Sequence, residues 1–352
     1  MFSALLGNDP IKRALELMLQ RKTVGNTLLF AGQDGVGKSL FAECFAKSLI
    51  GIAASPHPDL HHYRPEGKLG MHSIDSMRNL SEEVNLPPYA SKRKVFIIYD
   101  AERMQPASAN ALLKTFEEPS LDTIIILISS RPELILGTII SRCRTFEFHP
   151  LTNAEIASLL KSEKNIEDAR AHQIAAIAYG SASAAFNIAA NGENPLRAQI
   201  LMILSQGRFS SYTALIAKAK ELAELIAVKG KEIEETARNE IFSGYTEKLS
   251  AVQRDALEKE LDGYVAMHLA EESKLIFDTL LSWFRDRHLL TVGGNMNAML
   301  NPDRYEDISA CKAPLPPLED VLEAVKDAKT SVSRSTSLNI CLETLFLRLS
   351  LY

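Results

Sequence analysis

The stretch GQDGVGKS at residues 32–39 constrains the fold of this 352-residue chain more than any other part of the sequence. It fits the pattern G-x-x-x-x-G-K-S/T and lies between an apolar run, 27–31, and a segment with the apolar spacing of a helix, 39–49. In that setting the glycines let backbone N–H groups turn toward phosphates, and the helix directs its positive end at them. The predicted phosphate-binding loop consists of Gly32, Gln33, Asp34, Gly35, Val36, Gly37, Lys38 and Ser39.

A second apolar run, VFIIY at 95–99, is followed directly by Asp100. We expect Lys38 to reach the β- and γ-phosphates of a nucleotide, and Ser39 and Asp100 to support Mg²⁺. The next residue is Ala101, where many hydrolytic phosphate-loop motors carry a glutamate that polarises the attacking water. Glu102 follows, and in an extended segment its side chain would point to the other face, whereas a helical turn after Asp100 would change this.

Strand and helix patterns alternate along residues 1–150, which predicts an α/β domain with a parallel sheet covered on both faces. Residues 151–195 hold short, alanine-rich helical segments and are interpreted as a helical lid. Residues 196–352 are nearly all helical by period, which predicts an all-α C-terminal domain. Within it, 229–274 is rich in Glu, Lys and Gln, and we expect part of it to form an exposed helical hairpin.

Composition and charge exclude several classes of protein. The net charge of −5 excludes a globally basic nucleic-acid binder. Four widely spaced cysteines without a C-x-x-C pair argue against a disulfide framework and a zinc ribbon, and they fit a reducing compartment. The N-terminal sequence lacks signal-peptide features, and the densest apolar run, 124–128, has the length of a strand. We therefore expect a cytoplasmic protein that does not contact a membrane.

Two blocks carry a family resemblance: NALLKTFEEP at 110–119 and SRC at 141–143. With their spacing from the phosphate loop, they resemble the ATPase domain of bacterial clamp-loader subunits. That group lies within the AAA+ family and includes the gamma/tau and delta-prime subunits of DNA polymerase III and the replication factor C subunits. The similarity is strong over about 1–150 and weaker over 318–351, where the sequence resembles the last helices of a delta-prime collar domain.

The resemblance implies roles for particular residues. In the family the SRC arginine, here Arg142, acts in trans as an arginine finger on a neighbour's nucleotide. A polar sensor residue follows the third strand; Ser129 or Ser130 fits, and a strand-end cap is the alternative for either. The sensor-2 arginine of gamma/tau subunits is replaced here by Ser183, which cannot neutralise a phosphate as a guanidinium does.

The segment between the two nucleotide motifs differs from gamma/tau and many delta-prime subunits, which carry a cysteine zinc module there. Here it has no cysteine. His57, His61 and His62 lack supporting thiolates, so we expect a solvated loop and no zinc. The basic residues Lys92–Lys94 and Lys114 either contact DNA phosphates or are solvated surface charges.

The function implied by the resemblance is that of a delta-prime-like clamp-loader subunit in DNA replication. Such a chain would bind ATP or ADP with Mg²⁺, hydrolyse it weakly or not at all, and offer Arg142 to a neighbour. Its expected partners are gamma/tau and delta subunits in a hetero-pentamer, the sliding clamp and primer–template DNA. The alternatives are an active gamma/tau-like ATPase motor, which Ala101 and Ser183 disfavour, and a DNA-remodelling AAA+ motor.

Overall fold

The structure is a computed structural model that describes residues 2, 5–52, 56–67, 70–117, 122–243, 251–333 and 336–349. Its contacts divide the chain into two compact units. The first consists of Met1–Ala189 with Ser250–Tyr264, and the second of Ala190–Leu249 with Val265–Tyr352. The domain boundaries predicted above, near residues 150 and 195, remain predictions.

A five-stranded parallel sheet forms the centre of the first unit, as the sequence predicts. Its strands are β1 Thr27–Ala31, β2 Leu60–Tyr63, β3 Lys94–Ile98, β4 Thr123–Ser129 and β5 Arg144–Glu147, in the spatial order β2-β3-β4-β1-β5. The three inner strands are buried along their whole length, whereas β2 and β5 lie at the edges and are partly exposed. Continuous apolar runs without alternation are therefore the inner strands of this sheet.

Helices cover both faces of the sheet. They are α1 Asp9–Arg21, α2 Lys38–Ile50, α3 Ile74–Val84, α4 Pro106–Ala111, α5 Leu113–Glu117 and α6 Gly137–Ile140. Because successive side chains of a strand point to opposite faces, Phe30 of β1 belongs to the core cluster that contains Phe41 of α2, and its neighbour Leu29 to the cluster that contains Leu80 of α3. The α/β fold class predicted from the sequence is confirmed.

Three helices after β5 form a small core of their own within the first unit. They are α7 Asn153–Lys164, α8 Asp168–Ile177 and α9 Ala182–Asn191. Ile156 and Ile174 are buried between α7 and α8. Thr152 begins α7 with a reciprocal cap, in which its side chain accepts from the Glu155 N–H and the Glu155 side chain accepts from the Thr152 N–H. We call these three helices the lid.

The second unit contains helices only, among its described residues. They are α10 Pro195–Ser205, α11 Tyr212–Ser243, α12 Ala251–Thr291 (whose first residues belong to the first unit), α13 Tyr305–Ala310, α14 Leu318–Ser333 and α15 Leu338–Arg348. Trp283 and Phe346 lie in its core, each 1% exposed. None of the helices in the described part of the chain is long and apolar enough to span a membrane.

Two buried charges on α12 hold the connection between α12 and α14. The Asp286 carboxylate, with no exposed surface, accepts hydrogen bonds from the backbone N–H groups of Leu300 and Asn301. Arg287 donates to the backbone oxygens of Ala313 and Pro314. Buried charges need such partners because an unpaired one would be costly, so these contacts fix the path of a segment with little regular structure.

Candidate functional site

The carboxyl ends of the inner strands open into a cavity of about 250 Å³. In an open parallel sheet this edge is where ligands bind. The cavity is lined by Asp34, Gly35, Gly37, Lys38, Ser39, Leu40, Tyr99, Asp100, Ile128, Ser130, Ala182, Ser183 and Phe186. The fold thus brings together the predicted phosphate, Mg²⁺ and sensor residues, whereas Gly32, Gln33 and Val36 are not among the lining residues.

Lys38 lies in the first turn of α2, with only 6% of its side chain exposed. Its Nζ donates to the backbone oxygens of Gly32, at 2.5 Å, and Gln33, at 2.7 Å. Gly37, with φ of +96°, begins the helix without a side-chain cap. The N-terminal N–H groups of α2 and the Lys38 ammonium therefore lie at the same end of the cavity, an arrangement that suits an anion.

The lid contacts the phosphate loop directly. The backbone N–H of Ala182 donates to the Gly35 oxygen at 2.9 Å, and Gln33 Nε2 donates to the Tyr179 oxygen at 2.7 Å. Gly35 has φ of +78°, and a Cβ at this position would collide with the Ser181 side chain. Glycine is needed here for both its backbone conformation and its lack of a side chain.

The segment after Asp100 is a helical turn, which is the second of the two alternatives left open by the sequence. Asp100 has φ of +49°, and Ala101–Arg103 forms a 3₁₀ turn. The turn directs Glu102 toward β4, where its Oε1 accepts from the Ser130 N–H at 3.2 Å and from Ser130 Oγ at 2.7 Å. The Glu102 carboxylate thereby contacts a residue that lines the cavity, although Glu102 itself is not among the lining residues.

The two candidate sensor serines differ in their surroundings. Ser129 has no exposed surface, and its Oγ accepts from the Arg131 N–H at 3.1 Å, which is the geometry of a strand-end cap. Ser130 lines the cavity. Ser183, at the start of α9, lines it from the lid. The sensor roles remain predictions, with Ser130 the better placed of the two serines.

The backbone between β3 and Asp100 is supported by side chains that no sequence motif singles out. Tyr99 donates from its hydroxyl to Glu43 Oε1 at 2.7 Å, and the Arg64 guanidinium lies 3.7 Å from the centre of its ring. Burial raises the pKa of the Tyr99 hydroxyl, and the bond to Glu43 raises it further. His72, fully buried, donates from Nε2 to the Tyr99 oxygen at 2.7 Å, and burial lowers its pKa to about 4.

Arg142 is not among the described residues that line the cavity. It follows α6, and its side chain is 34% exposed. Its Nη1 donates to the Thr138 oxygen at 2.7 Å, and its Nη2 donates to Glu117 Oε1 at 2.5 Å. The guanidinium is therefore paired within its own chain yet accessible from solvent, and its role as a finger remains a prediction.

The histidine segment is not the solvated loop that the sequence suggests, because residues 60–63 form β2. His61 stacks on Phe96 at 4.7 Å between ring centroids, and His62 Nδ1 lies 3.3 Å from Glu43 Oε1 on the other face. Burial lowers the pKa of both imidazoles. Within the described ranges, no group of three or more His, Cys, Asp or Glu side chains could hold a metal ion.

Of the basic candidates for DNA contact, Lys94 is buried, with 6% of its surface exposed, and its Nζ donates to the Glu83 oxygen at 3.2 Å. A DNA contact for Lys94 is therefore wrong. Lys92 and Lys114 are exposed. For these two lysines, contact with DNA phosphates and simple solvation at the surface both remain open.

A phosphate-loop motif, an acid after β3, a parallel sheet of this order and a group of helices after β5 are the features of an AAA+-like fold. Residues 7–152 match the model of the family described as "DNA polymerase III, delta subunit". This match confirms the predicted resemblance to clamp-loader subunits over this part of the chain.

Individual relatives agree with the family match. The chain is 34% identical over 163 residues to DNA polymerase III subunit delta' of Bacillus subtilis, covering 41% of this chain and 49% of that protein. It is 33% identical over 193 residues to subunit delta' of Pseudomonas aeruginosa, covering 49% and 58%. Subunit tau of Bacillus subtilis is 31% identical over 172 residues, covering 44% and 30%. The chain thus spans about half the length of the delta' relatives it matches, and both delta' and tau subunits resemble it.

Proposed function

We propose that the chain is a delta-prime-like subunit of a DNA polymerase III clamp loader and acts mainly as a stator. It binds a nucleotide, hydrolyses it weakly or not at all, and supplies Arg142 to a neighbour's ATP site. The observation that carries this proposal is the contrast within one cavity. Lys38, Ser39 and Asp100 line it together, while Ala101 and Ser183 stand where hydrolytic relatives carry a glutamate and an arginine.

The ligand is ATP or ADP with Mg²⁺. Lys38 and the N–H groups at the start of α2 would hold the phosphates, and Ser39 and Asp100 would support the ion. The uncapped N-terminus of α2 and the lysine at the same end of the cavity fit this group. Bound Mg²⁺ would neutralise phosphate charge.

Weak hydrolysis follows from the side chains available around the cavity. The Ala101 methyl group is buried and cannot polarise a water molecule. The Glu102 carboxylate is directed to Ser130 and accepts a hydrogen bond from its hydroxyl. Ser183 offers the lid a neutral hydroxyl in place of a guanidinium. The cavity thus keeps the residues proposed to bind phosphate, but it lacks two of the groups that accelerate its cleavage.

The partners follow from the relatives, which include both delta' and tau subunits. We propose that the chain assembles with gamma/tau and delta subunits into a hetero-pentamer in the cytoplasm. The complex opens the sliding clamp and places it on primer–template DNA, and this chain contributes a rigid position and Arg142.

The test is an Arg142→Ala variant in a loader reconstituted with a gamma/tau-type ATPase and a delta-type subunit. A fixed guanidinium at a γ-phosphate contributes about 10³–10⁵ in rate. The ATPase rate stimulated by clamp and DNA should therefore fall by the contribution of the one ATP site that Arg142 serves. Assembly of the loader should be unchanged. Arg142→Lys should not restore the rate, because lysine lacks the planar fork.

The control is Arg144→Ala, since Arg144 is an exposed neighbour that lies 5.5 Å from the Phe146 ring centre. This variant should hydrolyse ATP at the unmodified rate. An Arg142→Ala complex with the full stimulated rate would exclude the trans role.

A second candidate function is an active gamma/tau-like motor. The position of Glu102 favours it, because the turn after Asp100 brings a carboxylate against a cavity-lining residue. Single-turnover hydrolysis by the purified chain separates the two functions, as described in the Discussion.

A further inference from the structure

We propose that Glu117 holds Arg142 in a resting pose on its own chain, so that the finger reaches a neighbour's triphosphate only after this ion pair opens. This inference rests on the function proposed above and names a means of regulating that site. Glu117 is thus a positioning residue, which acts through Arg142 and touches no nucleotide.

The resting pose occupies the end of the guanidinium that a phosphate would need. Nη2 donates to Glu117 Oε1 at 2.5 Å, and Nη1 donates to the Thr138 oxygen at 2.7 Å. Arginine grips phosphate or carboxylate groups with two parallel N–H donors. A bidentate contact through the same Nη1 and Nη2 N–H groups therefore requires the contacts with both Glu117 and Thr138 to open.

The backbone on both sides of the pair is fixed. Phe116, next to Glu117 in α5, is 3% exposed, and Ile139 in α6 has no exposed surface. Both belong to the same core cluster on one face of the sheet. The two side chains of the pair can therefore separate by rotation about their own bonds, without movement of α5 or α6.

The pair is accessible, which allows a partner to open it. The side chain of Arg142 is 34% exposed and that of Glu117 is 47% exposed. Exposed ion pairs contribute little stability because water and salt screen them. A triphosphate carries more negative charge than one carboxylate, so it competes well for the guanidinium once it lies nearby. The ion pair between Glu117 and Arg142 is thus weak enough to open in the assembled loader. Before assembly it is strong enough to favour the resting pose of Arg142.

The experiment measures ATP hydrolysis by the reconstituted loader with and without clamp and primed DNA. Glu117→Gln removes the charge and keeps the size of the side chain. We expect the rate without clamp and DNA to rise about two- to fivefold, the range that an exposed pair can account for. The maximal stimulated rate should change little, since the pair is already open there. Glu117→Ala should act in the same direction.

Two controls identify the route of the effect. Glu133→Gln changes an exposed glutamate in the 3₁₀ turn Pro132–Leu134, and it should leave both rates unchanged. The double variant Glu117→Gln/Arg142→Ala should behave like Arg142→Ala alone, because Glu117 acts only through Arg142.

The results distinguish this inference from the proposed function. If Arg142→Ala lowers the stimulated rate but neither Glu117 variant raises the unstimulated one, the resting pose is wrong and the finger stands. A lower unstimulated rate in the Glu117 variants would likewise overturn it. If Arg142→Ala changes nothing, the trans role fails and this inference fails with it.

Discussion

Asp59 shows how one buried side chain can fix a loop far from it in sequence. Its carboxylate has no exposed surface and accepts from the backbone N–H groups of Tyr89, at 2.5 Å, Ala90, at 2.8 Å, and Ser91, at 2.7 Å. Burial alone would raise the pKa of the Asp59 carboxyl, but these three donors lower it below its ordinary value. The ionised carboxylate therefore sets the path of the chain into β3.

Asp59→Asn should destabilise the protein by about 1–3 kcal/mol, because the amide loses the charge and places N–H donors against backbone donors. A carboxyl whose pKa is lowered in the folded state stabilises the fold above its unfolded pKa of about 3.9, and the contribution is lost as the pH falls through the folded pKa. Urea unfolding at pH 7 and near pH 3 measures both effects.

The difference in unfolding free energy between the wild type and Asp59→Asn should thus shrink at the lower pH. Asp9→Asn is the matched control, since the Asp9 side chain is 67% exposed and pairs only with Lys12 among the contacts found for it. Equal destabilisation by both variants would contradict the role of Asp59.

At this scale, local sequence predicts some site residues and misses others. Lys38, Ser39 and Asp100 were predictable because a fixed spacing next to a strand places them at one edge of the sheet. The contact of Glu102 with Ser130 was not, because it depends on the left-handed backbone of Asp100. The bonds of Asp59 join residues about 30 positions apart, and no local pattern reports them.

At the scale of elements, the phosphate loop and the lid are joined by hydrogen bonds between Gly35 and Ala182 and between Gln33 and Tyr179. The apolar runs predicted the inner strands, because full burial on both faces leaves a continuous hydrophobic signature. The edge strand β2, with sequence LHHY, lacks that signature, so the sequence predicts a loop there. Its histidines are instead accommodated by packing against Phe96 and Glu43.

Lys38→Ala should weaken binding of a fluorescent ATP or ADP analogue at least about tenfold, because a charge-assisted contact to phosphate is lost. The control variant Lys114→Ala, which changes an exposed lysine on α5, should bind the analogue with unchanged affinity.

In single-turnover experiments, the unmodified chain should retain bound ATP far longer than a gamma/tau subunit does. Rapid, Lys38-dependent cleavage would instead support the motor function.

At the scale of the whole molecule, the sheet-containing unit and the helical unit each have their own core. The spacing of apolar residues predicts that the C-terminal half is helical. It does not predict which segments of the chain contact each other. Residues 250–264 cluster with the first unit, where the Gly67 N–H donates to the Lys259 oxygen at 2.9 Å. Sequence alone gave no reason to pair positions so distant from each other.

Light scattering after mixing the chain with gamma/tau-type and delta-type subunits should give one species with the mass of five chains, because the proposed function places it in a hetero-pentamer. The chain alone should not form a ring. A six-copy species formed by this chain alone would favour the DNA-remodelling motor. The hydrolysis rate of the Arg142→Ala variant would be an independent test of that alternative.

The contacts of Asp286 and Arg287 have a consequence for how this protein can diverge. Both side chains recognise main-chain atoms of the 300–314 connection, namely the N–H groups of Leu300 and Asn301 and the oxygens of Ala313 and Pro314. Every residue type offers a carbonyl oxygen, and all but proline offer an N–H. Exposed residues of the connection can therefore be replaced without loss of these bonds, whereas the buried Asn301, whose side chain also donates to Asp286, cannot.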